Sequence, residues 1–499
     1  AIERMEIVAG GIPAEYGEQY GGIIKITTKT GTNQTSGFAK SIWRPNAFLS
    51  EQETGIASQV YAKPPGRTRI QEFALGGPIS LNKVWHFGAF QWIDEQQGSV
   101  LTLANPMELD FYSYHEKVTW QQTQKARWDF SGSGSPHWAR NRPPDITTAN
   151  DAKFTQHTPG MNFAQILHTY VIDDRRFVEN SFSFYHIELF SQTVRGRENV
   201  RPDEIRLRSW NPDLGFLYTT GPSPTYSRIF NLRGRYSTRF YMNLPTHAIK
   251  MGIDYGEQFG TSFGSRYVKT IDDLRGRPGG GPVILSGSYW SEESLRDRQI
   301  GFYAQDSWSI ANRATLDYGI RYDRESVVGR NNVSPRLGFG IDPTGSGSMK
   351  VFTNFGILYS NLNAEFYTFA APGMQGVATY TVINPDANYD GELRLRSRTF
   401  RRQDEIKNPY ALSTSVGFER QLPWDSKISV TYNHRKTLDN FKGTNERLNS
   451  TDVVQIYNND GSHTYDGIEF VVRKYVSRGF DLLAHYTLAK AEGDTTSIL

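Results

Sequence analysis

With 55 Lys+Arg against 52 Asp+Glu, this 499-residue chain carries a formal charge of only +3, which gives no global basic field for binding nucleic acid. The absence of cysteine excludes disulfide frameworks, thiolate zinc sites and cysteine nucleophiles. Mean hydropathy is −0.55 and no stretch approaches the ~18 uncharged apolar residues of a membrane helix, so only a β-barrel, apolar at every second strand position, could cross a membrane.

In chain order, Ile23, Ile24 and Ile26 with Thr27 and Thr28 read as a strand that the Gly31-Thr32-Asn33 turn ends. Residues 37–44 read as the next. From there a two-residue period recurs. Ile249, Met251, Ile253 and Tyr255 oppose Lys250, Gly252, Asp254 and Gly256, and Leu316, Tyr318, Ile320 and Tyr322 oppose Asp317, Gly319, Arg321 and Asp323. Leu412, Thr414, Val416 and Phe418 oppose Ser413, Ser415, Gly417 and Glu419; Ile428, Val430 and Tyr432 oppose Ser429, Thr431 and Asn433. This is the side-chain period of a sheet with one apolar face. The pattern predicts about 17 strands ending at 480–490, many of roughly 10–15 residues against the usual 5–6 of globular sheets.

Alternation alone fits a soluble sandwich equally well, and the connections decide. Short turns are predicted at 78–83, 173–174, 244–247, 311–312, 342–348, 422–425 and 477–478. Between them fall long polar loops at 45–67, 96–108, 132–160, 191–226, 261–298, 361–408 and 438–464, and 324–334 is a connection of modest length. A meander with short turns at one end and long loops at the other is the pattern of an outer-membrane barrel. The predicted register puts Ile249, Met251, Ile253, Leu316, Tyr318, Ile320, Ile428 and Val430 on the lipid face. Lys250, Asp254, Asp317, Arg321 and Ser429 then face the lumen. The 13% aromatic content fits rims of Tyr and Trp, with Trp308, Tyr318, Tyr322, Tyr359, Trp424, Tyr432 and Tyr486 near strand ends.

Several stretches together resemble the TonB-dependent outer-membrane receptors, in particular their Oar-like branch. Ile2-Glu3-Arg4-Met5-Glu6-Ile7, then Ala14-Glu15-Tyr16-Gly17, then Gly21-Gly22 before the Ile23 strand, look like the end of that family's plug domain. The resemblance continues through Leu75-Gly76-Gly77-Pro78-Ile79, "GFYAQDSW" at 301–308, "DYGIRYD" at 317–323, "SPRLGFGIDP" at 334–343, "NPYALSTSVGFERQLP" at 408–423 and "YDGIEFVVRK" at 465–474. It implies an all-β fold: a transmembrane antiparallel β-barrel of the 22-stranded type, with residues 1–33 the C-terminal portion of the plug and 34–499 a barrel incomplete at its C-terminus. Glu3, Arg4, Glu6, Tyr16, Gly17, Gly21 and Gly22 carry the plug motif.

The resemblance further implies the outer membrane of a Gram-negative bacterium and import of a scarce solute through the plugged barrel. The implied partners are outer-membrane lipid and lipopolysaccharide, a periplasmic TonB-type energy-transducing protein, and a solute such as a siderophore, peptide or oligosaccharide. The alternative is a surface, secretion-linked or scaffold barrel that docks partner proteins through its long extracellular loops.

The chain shows no GKS or GKT phosphate loop, no His-x-x-x-His spacing and no nucleophile elbow, and His115-Glu116 lacks the second histidine of a zinc protease. No enzymatic activity and no cofactor are expected. Ligand contacts are expected from the long loops, at Arg195, Arg197, Trp210 and Tyr218 and at Phe366, Tyr367, Phe369 and Tyr380. Aromatic faces suit sugars or apolar ligands and arginines suit carboxylates or phosphates, although such residues also simply pack loops together. Asp386, Asn388 and Asp390 followed by Gly391 match the first half of a calcium loop. Ser397 stands where that loop's bidentate carboxylate belongs, so an Asx turn accounts for the stretch, with structural calcium as the alternative.

Overall fold

The structure is a computed structural model. It describes residues 2–8, 10–45, 66–97, 106–142, 154–193, 205–211, 216–220, 226–265, 269–273, 283–288, 293–311, 313–361, 378–383, 394–402, 405–447, 452–476 and 480–494. Every regular element among them is a strand. β1 (Ile2–Val8) and β2 (Ile23–Thr28) pair antiparallel as a separate two-stranded sheet. The wall begins with β3 (Ser36–Arg44), β4 (Gly66–Ser80), β5 (Val84–Gln97), β6 (Met107–Gln121), β7 (Ala126–Gly134), β8 (His137–Arg142), β9 (Phe154–Asp173) and β10 (Arg176–Thr193). After β11 (Ile205–Asn211) and β12 (Phe216–Thr220) the wall resumes with β13 (Tyr226–Asn243) and β14 (His247–Ser265). After β15 (Lys269–Asp273) and β16 (Val283–Ser288) come β17 (Glu293–Ile310), β18 (Ala314–Glu325), β19 (Asn331–Ile341) and β20 (Met349–Tyr359). β21 (Ala378–Ile383) and β22 (Arg394–Arg402) precede the last wall strands, β23 (Tyr410–Leu422), β24 (Ser426–Arg447), β25 (Asp452–Val476) and β26 (Phe480–Gly493).

β7 and β8 occupy one wall position, because both pair with β6 on one side and β9 on the other. Pro136, which has no N–H to give, lies in the break between them, and its carbonyl accepts from Tyr112 N at 2.9 Å. Counted that way, the described residues form seventeen antiparallel wall positions from β3 to β26, curled into a barrel. The predicted first strand at 37–44 is β3, and the predicted last one at 480–490 is β26 extended to Gly493.

The predicted register holds. Met251, Ile253, Tyr318 and Ile320 stand exposed on the outer face, and Ile428 and Val430 pair there with the exposed Val472 and Phe470. Asp254 and Arg321 are buried inside, Lys250 reaches residue 15 in the interior, and Asp317 lines an interior cavity. The aromatic rim is present at Trp308, Tyr318, Tyr432 and Tyr486, and at Trp424, exposed in the β23–β24 turn. Asp306 is one outer-face exception near the short-turn end; His247 Nδ1 at 2.6 Å and Tyr318 Oη at 2.8 Å satisfy it.

The connections at 438–464 are not a loop. β24 runs to Arg447 and β25 starts at Asp452, paired as one long hairpin. Beyond the bilayer no apolar face is needed, so the alternation fades while the backbone ladder continues. Three of the other long connections, 191–226, 261–298 and 361–408, also carry strands: β12, β11, β15, β16, β21 and β22 pair in that order and join the wall at β25. The short turn at 122–125 went unpredicted because its sequence, Gln-Thr-Gln-Lys, has no Gly, Pro, Asn or Asp to mark it. The 477–478 turn lies outside the described residues.

Two short turns show what fixes that end. Asn33 links the β2–β3 connection to the β4–β5 turn, donating to Asn82 Oδ1 at 2.6 Å and accepting from Asn82 N at 3.0 Å and Trp85 Nε1 at 2.8 Å. In the 342–348 turn Asp342 accepts from Thr344 Oγ1 at 2.6 Å, Thr344 N at 3.0 Å and Gly347 N at 2.6 Å. The Thr344 hydroxyl first, then the Gly347 N–H, hold its carboxyl below the ordinary aspartate value. A depressed folded-state value stabilises above the unfolded value and is lost as pH falls through the folded one. The stability difference between wild type and Asp342→Ala should therefore stay constant from pH 7 to about 5 and shrink below about 4. Urea unfolding at pH 7, 5 and 3 checks this; a difference independent of pH would refute it.

Candidate functional site

The barrel interior is occupied between β1 and β2 by residues 10–20, which leave the small sheet and press against one side of the wall. A turn shapes the segment, with Tyr16 N donating to Pro13 O at 3.1 Å. Ile12, Ala14 and Glu15 are buried there. Inward positions of β13, β14, β17, β18 and β19 receive it, and these are the polar positions that alternation assigns to the lumen.

Contacts run along the whole segment. Arg336 Nε donates to Ile12 O at 3.1 Å. Lys250 Nζ reaches Glu15 Oε1 at 2.9 Å, and Glu15 N donates to Gln305 Oε1 at 2.9 Å. Glu18, at a φ of 67°, places its carboxylate between Arg233 and Arg235, 3.2 Å from the latter. Asn361 N donates to Glu18 O at 3.3 Å, and Tyr20 Oη to Asn440 Oδ1 at 3.4 Å.

Arg321 is the hub. Its side chain is 0% exposed and pairs with Asp323 at 2.8 Å and Asp254 at 3.0 Å, while Arg235 approaches Asp254 from the other side at 3.2 Å. Its Nη1 lies 3.5 Å from the carbonyls of both Ala14 and Glu15. Gly17 passes directly over this guanidinium, so any Cβ there would collide with Arg321 Nε and Cζ. Glycine at 17 is thus required by the closeness of the charged hub rather than by its own backbone angle.

Towards the short-turn end the segment leaves room. Gly11–Glu15, Lys250, Gln305, Asp317, Arg336 and Asn354 border a cavity of about 280 Å³. The contacts between segment and wall are ion pairs and hydrogen bonds rather than a continuous apolar core. Each is exchangeable for water at a net cost of about 1 kcal/mol for a neutral bond. None of these contacts is part of the backbone ladder of the wall.

Of the predicted plug motif, Tyr16 and Gly17 belong to this interior segment, and Gly21 and Gly22 lead into β2. Glu3, Arg4 and Glu6 lie on β1, where Glu6 pairs with Arg4 and, at 4.0 Å, with Lys25. Glu15, Glu18, Arg233, Arg235 and Arg336 were not predicted. The arginines left a signal, since 233, 235 and 239 recur at the strand period on the face away from Tyr236 and Phe240.

Of the predicted ligand contacts, Trp210 lies on β11, Tyr218 on β12 and Tyr380 on β21, all in the sheet outside the wall. Trp210 and Tyr218 sit on paired strands, whereas β15 and β16 separate β11 from β21, three strand spacings or ~14 Å. Arg195, Arg197, Phe366, Tyr367, Phe369 and the calcium candidates Asp386, Asn388 and Asp390 lie outside the described residues.

Comparison with known proteins agrees with this architecture. Residues 110–498 match the family described as TonB-dependent receptor-like β-barrel. The TonB-dependent transporter Oar of Myxococcus xanthus is 22% identical to this chain over 74% of the chain and 45% of its own length. The chain thus spans about half of that curated relative. The outer membrane transporter YddB from Escherichia coli superposes with a TM-score of 0.67 at 12% identity, over 98% of this chain and 64% of that one. The siderophore receptor PirA from Pseudomonas aeruginosa does so at 0.63 and 13%, over 98% and 72%. Its own barrel and a family match over most of its length establish that this chain belongs to the TonB-dependent receptor β-barrel family, proteins of the Gram-negative outer membrane.

Proposed function

We propose that residues 1–33 are the end of a plug and that the chain is the pore-forming part of an active importer. In this reading a scarce solute binds from outside and a TonB-type periplasmic protein pulls the plug. The barrel itself hydrolyses nothing, and the work comes from the inner-membrane proton gradient through that partner. A siderophore, peptide or oligosaccharide is the solute class. The carrying observation is the polar, ion-paired hold on residues 10–20, which a pull can break without unfolding the wall.

The sheet formed by β11, β12, β15, β16, β21 and β22 beyond the wall favours one second reading, a surface barrel that docks a protein partner there. Solute depletion from the medium separates the two. Cells making the full-length natural protein should deplete at least one solute faster than cells lacking it, and an uncoupler that collapses the proton gradient should abolish the difference. Identical depletion profiles with and without the protein would overturn the import reading.

A further inference from the structure

One carboxylate stands on the lipid face at mid-bilayer depth. Outward positions of β6 run from Trp120 through Val118, Glu116 and Tyr114 to Tyr112, with the charged Asp110 and Glu108 beyond. Trp120 and Tyr114 are exposed, as are Phe90 of β5 and Phe130 of β7, which pair with Tyr114 and Val118, whereas Thr119 is buried on the inner face. The side chain of Glu116 is 52% exposed, and the residue falls midway between Trp120 and Tyr112. Four residues at a rise of about 3.3 Å and a tilt of about 40° put each of those rings roughly 10 Å of height away. Lipid headgroups lie beyond them on either side.

The wall around this carboxylate is bare. Glu116 pairs with Gly88 on β5 and with Gly132 on β7, and Gly132 pairs with Ala164 on β9. The carboxylate lies flat over Gly88, where an added Cβ would collide with Oε2. Beside it, His86 Nδ1 stands 3.4 Å from Oε1. The hydroxyl of Tyr114, two residues along the same face, is donated to Asn162 Oδ1 at 3.0 Å instead. Leu75, Phe90, Trp120 and Phe130 rim the floor with exposed apolar side chains. An acid and a base thus sit together where lipid tails offer neither of them a hydrogen bond.

We propose that this face of β5, β6 and β7 is the contact between two copies of the chain in the outer membrane. The charge pattern selects a second copy, because one face carries both members of the pair. Two copies inserted the same way are related by an axis along the membrane normal, which preserves depth. Groups only 3.4 Å apart on one wall therefore meet their complements across that axis. Glu116 of each copy faces His86 of the other, and one pair becomes a closed cluster of four groups. Polar side chains hold membrane segments together in this way, and small residues let the backbones approach. Gly88, Gly132 and Ala164 provide that approach, and the apolar rim packs around it. The contact depends on the register of the wall and is independent of import.

The test uses the full-length protein in outer membranes, free of other cysteines, with Gly132→Cys on the bare floor, where an added Cβ is 3.9 Å from Phe163 O. Oxidation should give a disulfide-linked product that mass spectrometry identifies as two copies of this protein. Ile320→Cys, exposed on the outer face of β18, is the control for random collision and should give little. Adding Glu116→Leu or His86→Leu to Gly132→Cys should cut the product at least about fivefold, because both polar contacts across the interface are lost. The exchange His86→Glu/Glu116→His keeps one acid and one base on each copy and should restore it. Heat-modifiable gel migration identifies folded variants, and Glu116→Leu carries the test if His86→Leu fails to fold. A product containing another protein, equal yields from positions 132 and 320, or undiminished cross-linking in folded Glu116→Leu would overturn the proposal. So would an exchanged variant that cross-links no better than the leucine ones.

Discussion

Replacing Arg321 by methionine is expected to lower the folding free energy by about 3–5 kcal/mol, the range for breaking a buried ion pair from one side. The guanidinium is fully enclosed and neutralises Asp323 and, with Arg235, Asp254. Methionine fills the space but leaves Asp323 buried without its cation. It also takes away the donor facing the Ala14 and Glu15 carbonyls, so the interior segment should loosen as well. Arg321→Lys restores the charge without the fork, and its loss should fall between the two. The exposed pair Arg330–Glu405, at 3.2 Å, is the comparison: surface pairs contribute about 0–1 kcal/mol, so Arg330→Met should change little. Equilibrium urea unfolding in lipid measures all three. A methionine variant as stable as wild type would mean that Arg321 is not the hub.

Ile320→Arg should cost roughly 2–4 kcal/mol, the penalty for arginine at the lipid face of a barrel near the bilayer midplane. Ile320 is 54% exposed on the outer wall, between Tyr318 and Tyr322. Asp317→Lys, three residues away on the opposite face, puts its charge into the wet interior cavity and should be well tolerated. The contrast makes the test sharp, because a one-residue register slip would exchange the two outcomes. Folding yields into bilayers, compared across the pair, read it directly.

The wall was legible because its physics is local. A strand with lipid on one side must alternate, so "IKMGIDYG" at 249–256 betrays both its period and its inward residues. Turn residues such as Asp342 and Gly347 mark the short connections in the same local way. Where lipid no longer constrains the outer face, at 438–464, the pattern faded although the strands continued. The interior site was illegible for another reason. Lys250 meets Glu15 across 235 positions of sequence and Arg336 meets Ile12 across 324, and no periodicity encodes which inward residue faces which part of the segment. The alternating arginines at 233, 235 and 239 said only that the lumen there is positive.

The central claim is that residues 10–20 are held inside the barrel and must move for a solute to pass. A cysteine pair tests it most directly, because the chain has no cysteine of its own. A Cβ built on Gly10 lies 3.5 Å from Ser415 Cβ, within the 3.5–4.5 Å that a disulfide bridges. Gly10→Cys/Ser415→Cys in the full-length protein should cross-link in outer membranes under oxidation. The cross-link should abolish the proton-gradient-dependent depletion of solute, and reduction should restore it. Complete cross-linking with depletion unchanged would contradict the account.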